Sequence, residues 1–365
     1  MKDRERAAPK RVTMADVAER AGVSPTAVSL IMNRREGTRV SEDAARRIRA
    51  AADELGYRPN LTARALSTQK SHVLGFISDL VTTDRLASGL IRGASQEAKK
   101  HGHVLLIAET DGQSGAAEEA FSALTDRQVD GIIYAATRPQ SLSIPVRATG
   151  GTPVVMLNAV SDDVAGAVIA DEYAGAAAIV QLLLDAGHTS NVVILGRSLD
   201  QPDDEWLTFA VRRRLNGIWD TLHSAGVVPV AQIPCQPWSV NNGHRGVRDL
   251  LDNGIRPGAL ICLNDRLAFG AYRALTEAGI RPGGDVAVIS FDDDDIAVYL
   301  DPPLTTAAIP FEAMGAQAVQ LLLQRDRVHG QQLVDMPIRV RNSVTIPAQL
   351  DLRLTHANDD ERSAR

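Results

Sequence analysis

Beyond residue 72 the chain alternates between two hydrophobic rhythms. Short apolar runs occur at 73–77 (VLGFI), 104–108 (VLLIA), 131–135 (GIIYA), 153–157 (PVVML), 167–170 (AVIA), 192–196 (VVILG), 259–263 (ALICL) and 286–291 (VAVISF). Between them lie stretches whose apolar positions recur every three or four residues, such as Ala87–His101, Tyr173–Ala186, Arg266–Ala278 and Phe311–Gln324. A continuously apolar run is a strand buried on both faces, and the 3.6-residue rhythm is a helix with one core-facing stripe. Strands alternating with helices predict parallel sheets covered on both sides. This many strands exceeds one comfortable open sheet, so two sheets are expected. Polar residues stand at or just past the ends of these runs: Asp79, Asp111, Asn158, Asp171, Asn264 and Asp292. Any one of them is explained as a turn former or helix cap. Together they favour a polar cleft at the carboxyl ends of parallel strands, where open α/β sheets bind ligands. The ligand expected there is small and carries hydroxyls or amines, with Trp238 as an apolar wall.

The first seventy residues follow a different pattern, helical throughout and without a strand. In "MADVAERAGVSPTAVSLIMN" (14–33), Thr13 caps a first helix whose Val17, Ala18 and Ala21 share one face. Gly22 ends it, because glycine adopts the left-handed turn at little cost. Ser24 then caps a second helix, with Pro25 at the first position, where a missing N–H is harmless. Its Val28, Ile31 and Met32 point inward. Two short helices around a tight glycine turn are the packing of a helix-turn-helix, whose second helix lies in a DNA major groove. A third helix starts after Ser41, carries Glu42 and Asp43 at its positive end, has Ile48 and Leu55 as core positions, and stops at Gly56. Its Arg46, Arg47 and Arg49 read as a solvated face. Next, in "YRPNLTARALSTQK" (57–70), Pro59 blocks continuation, and Asn60 can cap a short helix carrying Ala63, Arg64 and Leu66. A helix this short does not form alone, so a linker that folds on binding is expected.

Charge sharpens this division. The net charge of the 365-residue chain is −6, yet residues 1–70 hold 15 Lys/Arg against 9 Asp/Glu, while the remainder holds 24 against 36. A basic head on an acidic body is expected when only the head meets a polyanion. No apolar run is long enough to span a bilayer, and the charged start "MKDRERAAPKR" lacks a signal-peptide core, so a cytoplasmic protein with no membrane partner is expected. Cys235 and Cys262 form no metal-type spacing and read as buried thiols. His101, His103 and His188 sit near helix ends and strand starts, as capping residues do. The motifs of zinc proteases, serine hydrolases, phosphate-binding loops and dinucleotide folds are missing from the sequence. The acidic run Asp292–Asp295 lacks the glycine and alternation of a calcium loop. The expectation is a protein that is not an enzyme and needs no cofactor or metal. A solute-binding protein would leave the head unexplained, and so would an enzyme; a ligand-responsive DNA-binding regulator explains both parts.

The segments "VTMADVAERAGVSPTAVSLIMN" and "RVSEDAARRIRAAADELGYRPNLTARAL" resemble the DNA-binding head of the lactose-repressor (LacI/GalR) family. The resemblance extends through "QVDGIIYAA", "DAGHTSNVVILG", "RLNGI", "ALICLNDRLAFGAYRALTEAGI", "VISFDD" and "PPLTT" to that family's effector-binding body, which is similar to periplasmic sugar-binding proteins. It implies a homodimer on a near-palindromic double-stranded operator, a hinge helix over Asn60–Ser67, and Leu66 wedged into the minor groove with small Ala63 allowing close approach. Pro25, Thr26, Ala27 and Leu30 would lie at base edges and Ser24, Ser29 and Asn33 at phosphates, with Thr13 and Asn60 also in the DNA-contacting set. In the body, two similar lobes would meet at a cleft, with crossovers near Asp171, Pro302 and Arg339. Arg214 would clamp the effector, Asn264 and Asp292 would hydrogen-bond it, Trp238 would wall it, and Asp79 and Asp171 complete the expected effector set.

Three positions depart from the family pattern. Leu30 stands where many members place a guanine-reading arginine, so an operator read more by apolar contact and shape is expected. "TTDRL" (82–86) replaces an aromatic-containing segment, and Ile218, followed by Trp219, replaces an aromatic. Trp206 is a further aromatic that could reach the cleft. The expected organisation is an all-α helix-turn-helix domain (1–58), a hinge helix and linker (59–71), a two-lobe periplasmic-binding-protein-like effector and dimerisation domain of α/β type (72–347), and a disordered tail (348–365). The tail "AQLDLRLTHANDDERSAR" has no sustained heptad, which favours a dimer over a tetramer. The function expected is transcriptional repression controlled by a small effector, a sugar, nucleoside or related metabolite.

Overall fold

The computed structural model describes residues 12–32, 40–58, 70–79, 85–111, 115–164, 166–198, 201, 207–324 and 330–345. The chain divides into two compact units, Met1–His72 and Val73–Arg365.

In the first unit, helix α1 (Met14–Ala21) begins at a reciprocal cap: the Thr13 hydroxyl accepts from Asp16 N–H, and the Asp16 carboxylate accepts from Thr13 N–H at 2.7 Å. Gly22 closes it at φ +67, a left-handed conformation in which a side chain would be strained. Helix α2 (Pro25–Met32) follows, with the Ser24 hydroxyl accepting from Ala27 N–H. Helix α3 (Glu42–Leu55) lies across both. Val17, Ala18 and Ala21 of α1, Val28 of α2, and Ile48, Ala51 and Ala52 of α3 form the core, with Ile31, Met32 and Leu55 half-buried against it. The small alanines let α1 and α3 approach closely, and burying Val28 and Ile48 contributes roughly 1.5–3 kcal/mol each. Two polar contacts fasten α3 to α1: Arg20 pairs with Glu54 at 2.8 Å, and Arg47 donates to the Ala21 carbonyl at 2.8 Å. Arg47 is thus a cap on the carboxyl end of α1 as well as an exposed cation.

The second unit contains two six-stranded sheets. The first has the order β11-β5-β4-β3-β1-β2, from β1 (Val73–Ser78), β2 (Val104–Glu109), β3 (Ile132–Ser141), β4 (Val154–Val160), β5 (Gly166–Ala170) and β11 (Gly330–Val334). The second has the order β12-β10-β9-β8-β6-β7, from β6 (Val192–Gly196), β7 (Ala231–Pro234), β8 (Ala259–Cys262), β9 (Ala287–Asp292), β10 (Thr305–Ala308) and β12 (Ile338–Arg339). Pairing is parallel throughout except for β10 with β12. Helices α4 (Arg85–Lys100), α5 (Ala116–Asp126) and α11 (Phe311–Leu323) cover the first sheet. Helices α6 (Glu172–Asp185), α7 (Phe209–Ser224), α8 (Val240–Asp252) and α9 (Asp265–Glu277) cover the second, with the single turn α10 (Ile296–Tyr299) after β9.

The chain passes between lobes at Asp171, at Ile309–Pro310 and over residues 335–337. The crossover expected near Arg339 is found just before it, whereas the one expected near Pro302 is displaced, since Pro302 precedes β10. The cause is that β10 reads "TTAA", too short and too polar to announce itself as a strand. Helices α4 and α11 pack so closely that a Cβ on Gly93 would lie 1.9 Å from the Glu312 carbonyl oxygen, and one on Gly315 would lie 2.1 Å from that of Leu90. At the same crossing the buried Glu97 accepts from Gln320 Nε2 at 2.9 Å and pairs with Lys100 at 2.9 Å. Those partners hold its carboxyl down at about 2.

Candidate functional site

Three of the six polar strand ends, Asn158, Asn264 and Asp292, line a cavity of about 300 Å³ in the second unit, built from both lobes. At its floor is Arg214, projected by α7 and only 4% exposed. Its guanidinium makes a two-pronged pair with Glu172, the first residue of α6: Nε to Oε2 at 2.7 Å and Nη2 to Oε1 at 2.9 Å. Nη2 also reaches Asp292 Oδ1 at 3.4 Å, Nη1 donates to the Leu263 carbonyl, and the group lies 4.5 Å over the Phe291 ring. Burial by itself would lower the arginine's proton affinity, but Glu172 and Asp292 more than reverse this and raise it. Asp292, at the end of β9, goes the other way. Burial pushes its carboxyl up to about 8, Arg214 opposes this, and the charges of Asp265 and Glu172 add to it. One cation thus serves two carboxylates, and the second of them is poised to share a proton or accept from a ligand hydroxyl. Asp292 takes a backbone φ of +108, a conformation that a non-glycine residue keeps only where its surroundings hold it.

The rest of the lining is fixed by the elements that carry it. Trp238 is anchored by its indole N–H on the Gly196 carbonyl at 3.2 Å, at the carboxyl end of β6. Asn264 caps α9, accepting from Leu267 N–H at 2.9 Å. Asn158, in β4 of the other lobe, is buried and donates to the Ala136 carbonyl at 3.0 Å. Arg214, Trp238, Asn264, Asn158 and Asp292 therefore share one cavity.

Two residues of the expected effector set do not line it. Asp79 accepts from Thr137 N–H at 2.9 Å and from its hydroxyl at 3.0 Å. Its carboxylate is spent on shaping β3, whose Thr137 is among the residues that line the cavity. Asp171 caps α6 through Ala174 N–H and pairs with Arg213 at 3.1 Å, so it secures the first crossover. For these two, and for Asp111 in its left-handed turn at φ +49, the turn-and-cap explanation of a polar strand end applies. Ile218 is fully buried and Trp219 packs against the core, so neither supplies a cavity wall. Trp206 and residues 80–84 lie outside the described residues.

Among the lining residues that sequence reasoning missed are Thr137, Arg138, Glu172, Arg266 and Phe311. The signal for Arg138 was an arginine directly after the apolar run "GIIYAAT". Phe311 was hidden because it follows β10, which was not read as a strand. Phe311 adds a second aromatic to the cavity lining besides Trp238, where the segment 82–86 has none. Beneath the cavity, the fully buried Asp265 accepts from the Thr306 hydroxyl at 2.8 Å and from Asp294 N–H at 2.7 Å, fixing the acidic turn after β9. Burial raises its carboxyl to about 7, against the hydrogen bond from Thr306. Both cysteines are buried, which pushes Cys235 up to about 11 and Cys262 well above its ordinary value, so neither is a ready thiolate.

In the first unit, the described positions expected to meet DNA lie at the start of α1 and along α2. Thr13, Ser24, Pro25 and Thr26 are exposed, and Ala27, Ser29 and Leu30 are half-buried. The hydroxyls of Thr13 and Ser24 each accept from a helix N–H, so capping and any phosphate contact draw on the same two groups. Helix α2 carries no charged side chain, and the neighbouring cations Arg46 and Arg47 both pair with Asp43. Asn33, Asn60, Ala63 and Leu66 lie outside the described residues.

A family model described as "Bacterial regulatory proteins, lacI family" matches residues 13–60, and one described as "Periplasmic binding protein-like domain" matches residues 180–353. The ribose operon repressor of Escherichia coli (strain K12) is 31% identical over 316 residues, covering 86% of this chain and 92% of that protein. The lactose operon repressor of the same strain is 30% identical over 350 residues, covering 93% and 92%. Among solved structures, the Lac repressor dimer bound to operator and the anti-inducer ONPF matches with a TM-score of 0.73 at 28% identity, covering 92% of this chain and all of that one.

Proposed function

Because this chain belongs to the lacI family of bacterial regulatory proteins, we propose that it is a transcriptional repressor whose operator affinity is set by a small metabolite held between its two lobes. The observation that carries the reading is the presence, on one chain, of a helix-turn-helix with an open α2 surface and of a two-lobe cavity floored by Arg214 and Asp292. The effector class is a sugar, nucleoside or related metabolite: the guanidinium and carboxylate meet vicinal hydroxyls or ring nitrogens, and Trp238 and Phe311 offer apolar faces. DNA binding implies residence in the cytoplasm. Among the described residues, no helix is long and apolar enough to cross a membrane.

The working state is a homodimer, the form in which the similar Lac repressor was solved on its operator. The outer edge strand β2 supports this, since Val104, Leu106 and Ile107 are exposed there and an apolar edge calls for a cover. Ligand closes the lobes, closure changes the separation of the paired first lobes, and that separation decides whether the hinge segments around Leu66 pair on DNA. The test is a gel shift with genomic fragments at several salt concentrations, with and without metabolites chosen by thermal shift. Specific binding that weakens steeply with salt and responds to one metabolite is expected; no preference for any fragment refutes the reading. Leu66→Ala should weaken operator binding by at least tenfold while leaving metabolite binding intact, and equal operator affinity would remove the hinge from the mechanism.

A further inference from the structure

Helix α2 differs from its neighbours in charge. Helix α1 carries three charged side chains in eight residues and α3 seven in fourteen, while α2, reading PTAVSLIM, carries none in eight. Arg47, beside the Gly22 turn that leads into α2, is fastened to the Ala21 carbonyl at 2.8 Å and to Asp43 at 3.2 Å. One face of α2 is accounted for by packing: Val28 is fully buried, and Ala27, Ile31 and Met32 are set against the same core. At about 100° per residue, Thr26 and Leu30 stand about 160° from Val28 on either side, neighbours on the outer face one turn apart. Thr26 is exposed and Leu30 half-buried, with Pro25 exposed at the amino end. A helix in the basic part of the chain thus turns a leucine and a threonine outward, with no charge to meet water or phosphate.

We propose that α2 reads its operator through the C5-methyl groups of pyrimidines, with Leu30 and Thr26 as the residues that meet them. This rests on the reading of the first unit as a DNA-binding domain, and it names the chemistry which that domain recognises. In the major groove guanine is read by arginine or lysine and adenine by asparagine or glutamine, each through a pair of hydrogen bonds, and cytosine by a carboxylate. None of those side chains occurs in α2. A hydroxyl such as that of Thr26 both donates and accepts, so it suits several bases and singles out none. What remains is the thymine methyl, the apolar group that a base pair shows in the major groove, and the methyls of Leu30 and Thr26 are its counterpart. A base methyl set against them removes apolar surface of both partners from water. The same methyl is present on 5-methylcytosine and missing from uracil and cytosine, so α2 distinguishes pyrimidines by their methyl group rather than by their hydrogen-bonding edges.

The experiment uses the full-length chain to select bound sequences from a randomised DNA duplex library. The enriched duplex is then remade with deoxyuridine in place of thymidine, one position at a time, and its affinity is measured by gel shift. Loss of one methyl contact is expected to weaken binding about fourfold, and about fifteenfold when both half-sites lose it. At least one thymine per half-site should respond. The penalty there should vanish in L30A or in T26S, the second of which removes the threonine methyl and keeps the hydroxyl. Both positions face away from the core, so the fold of the unit is spared. At the responding position cytosine should bind worse than thymine, and 5-methylcytosine should recover about fourfold per half-site. Deoxyuridine tolerated at every thymine overturns the proposal. So does a penalty unchanged in both variants, or a 5-methylcytosine that binds no better than cytosine. In those three cases the selected duplex still stands, and with it the DNA-binding reading. A library that yields no enriched sequence overturns that reading and the proposal with it.

Discussion

Replacing Arg214 by alanine tests the electrostatic account of the cavity floor most directly. The substitution removes the two short contacts to Glu172 at 2.7 and 2.9 Å and the longer one to Asp292 at 3.4 Å. Glu172 is 2% exposed, so water does not replace the lost partner. Removing one member of a buried pair costs roughly 3–5 kcal/mol. For a unit of this size about 1 kcal/mol corresponds to about 2–4 °C, which predicts a fall in Tm of about 10 °C. The pH dependence separates stranded charge from lost packing. Asp292 already stands at about 8 in the folded protein, above its unfolded value, with Arg214 as the group that restrains it. A carboxyl raised in this way costs the folded state nothing below about pH 4, and the penalty grows as pH rises from there through the folded value. Without the guanidinium the penalty is larger, so the Tm deficit of Arg214→Ala should be greater at about pH 8 than at about pH 5, where a proton on the carboxyl relieves the repulsion. Lost packing alone predicts the same deficit at both. Tryptophan-fluorescence melts at the two pH values decide it: equal deficits, or a deficit under about 2 °C, would refute the assignment of Arg214 as the cation on which the floor depends.

Three further outcomes follow from the same structure. In Asp292→Asn the fall in Tm of the wild-type second unit between about pH 5 and about pH 8 should become shallower but not vanish, since Asp265, raised to about 7, contributes with the same sign; an unchanged slope would exclude Asp292 as a source. Gly93→Ala places a methyl 1.9 Å from the Glu312 carbonyl and should push α4 off α11, costing about 1–3 kcal/mol by urea midpoint; a neutral effect would mean the helices separate freely. Leu30→Ala should change which operator sequences are preferred in a binding-site selection, by about 1 kcal/mol at the position it meets, and an unchanged preference would show that residue 30 reads no base.

Much of the fold was legible because its signals are local. Eight apolar runs became strands, six of them within a residue of their expected limits, since a strand buried on both faces must be apolar at every position; β3 and β4 run on past their apolar stretches to Ser141 and Val160. Thr13, Gly22, Ser41 and Gly56 marked the helix ends of the first unit, since capping is a property of a few consecutive residues. The strands that escaped notice, β7, β10, β11 and β12, are short or polar. Three of them lie at sheet edges, and β10 satisfies its threonine hydroxyls through hydrogen bonds, Thr306 donating to Asp265 and Thr305 accepting from Arg341 N–H, rather than through apolar contact. The misplaced crossover near Pro302 traces to β10.

Sequence by itself determined the division into a basic helical head and an acidic α/β body, the two-sheet architecture, and the placing of Trp238, Asn264 and Asp292 at one cleft, while Arg214 was expected only from the family resemblance. It could do so because periodicity, caps and strand-end polarity are written in neighbouring residues. Only the tertiary structure decided which polar strand ends face that cavity and which are spent elsewhere. Asp79 turned to Thr137 and Asp171 to Arg213, while Glu172, one residue along, reached Arg214, and Phe311 arrived from a crossover far along the chain. A carboxylate goes to whichever donor lies closest in space, and residues dozens of positions apart are brought to that distance only by the packing of the two lobes.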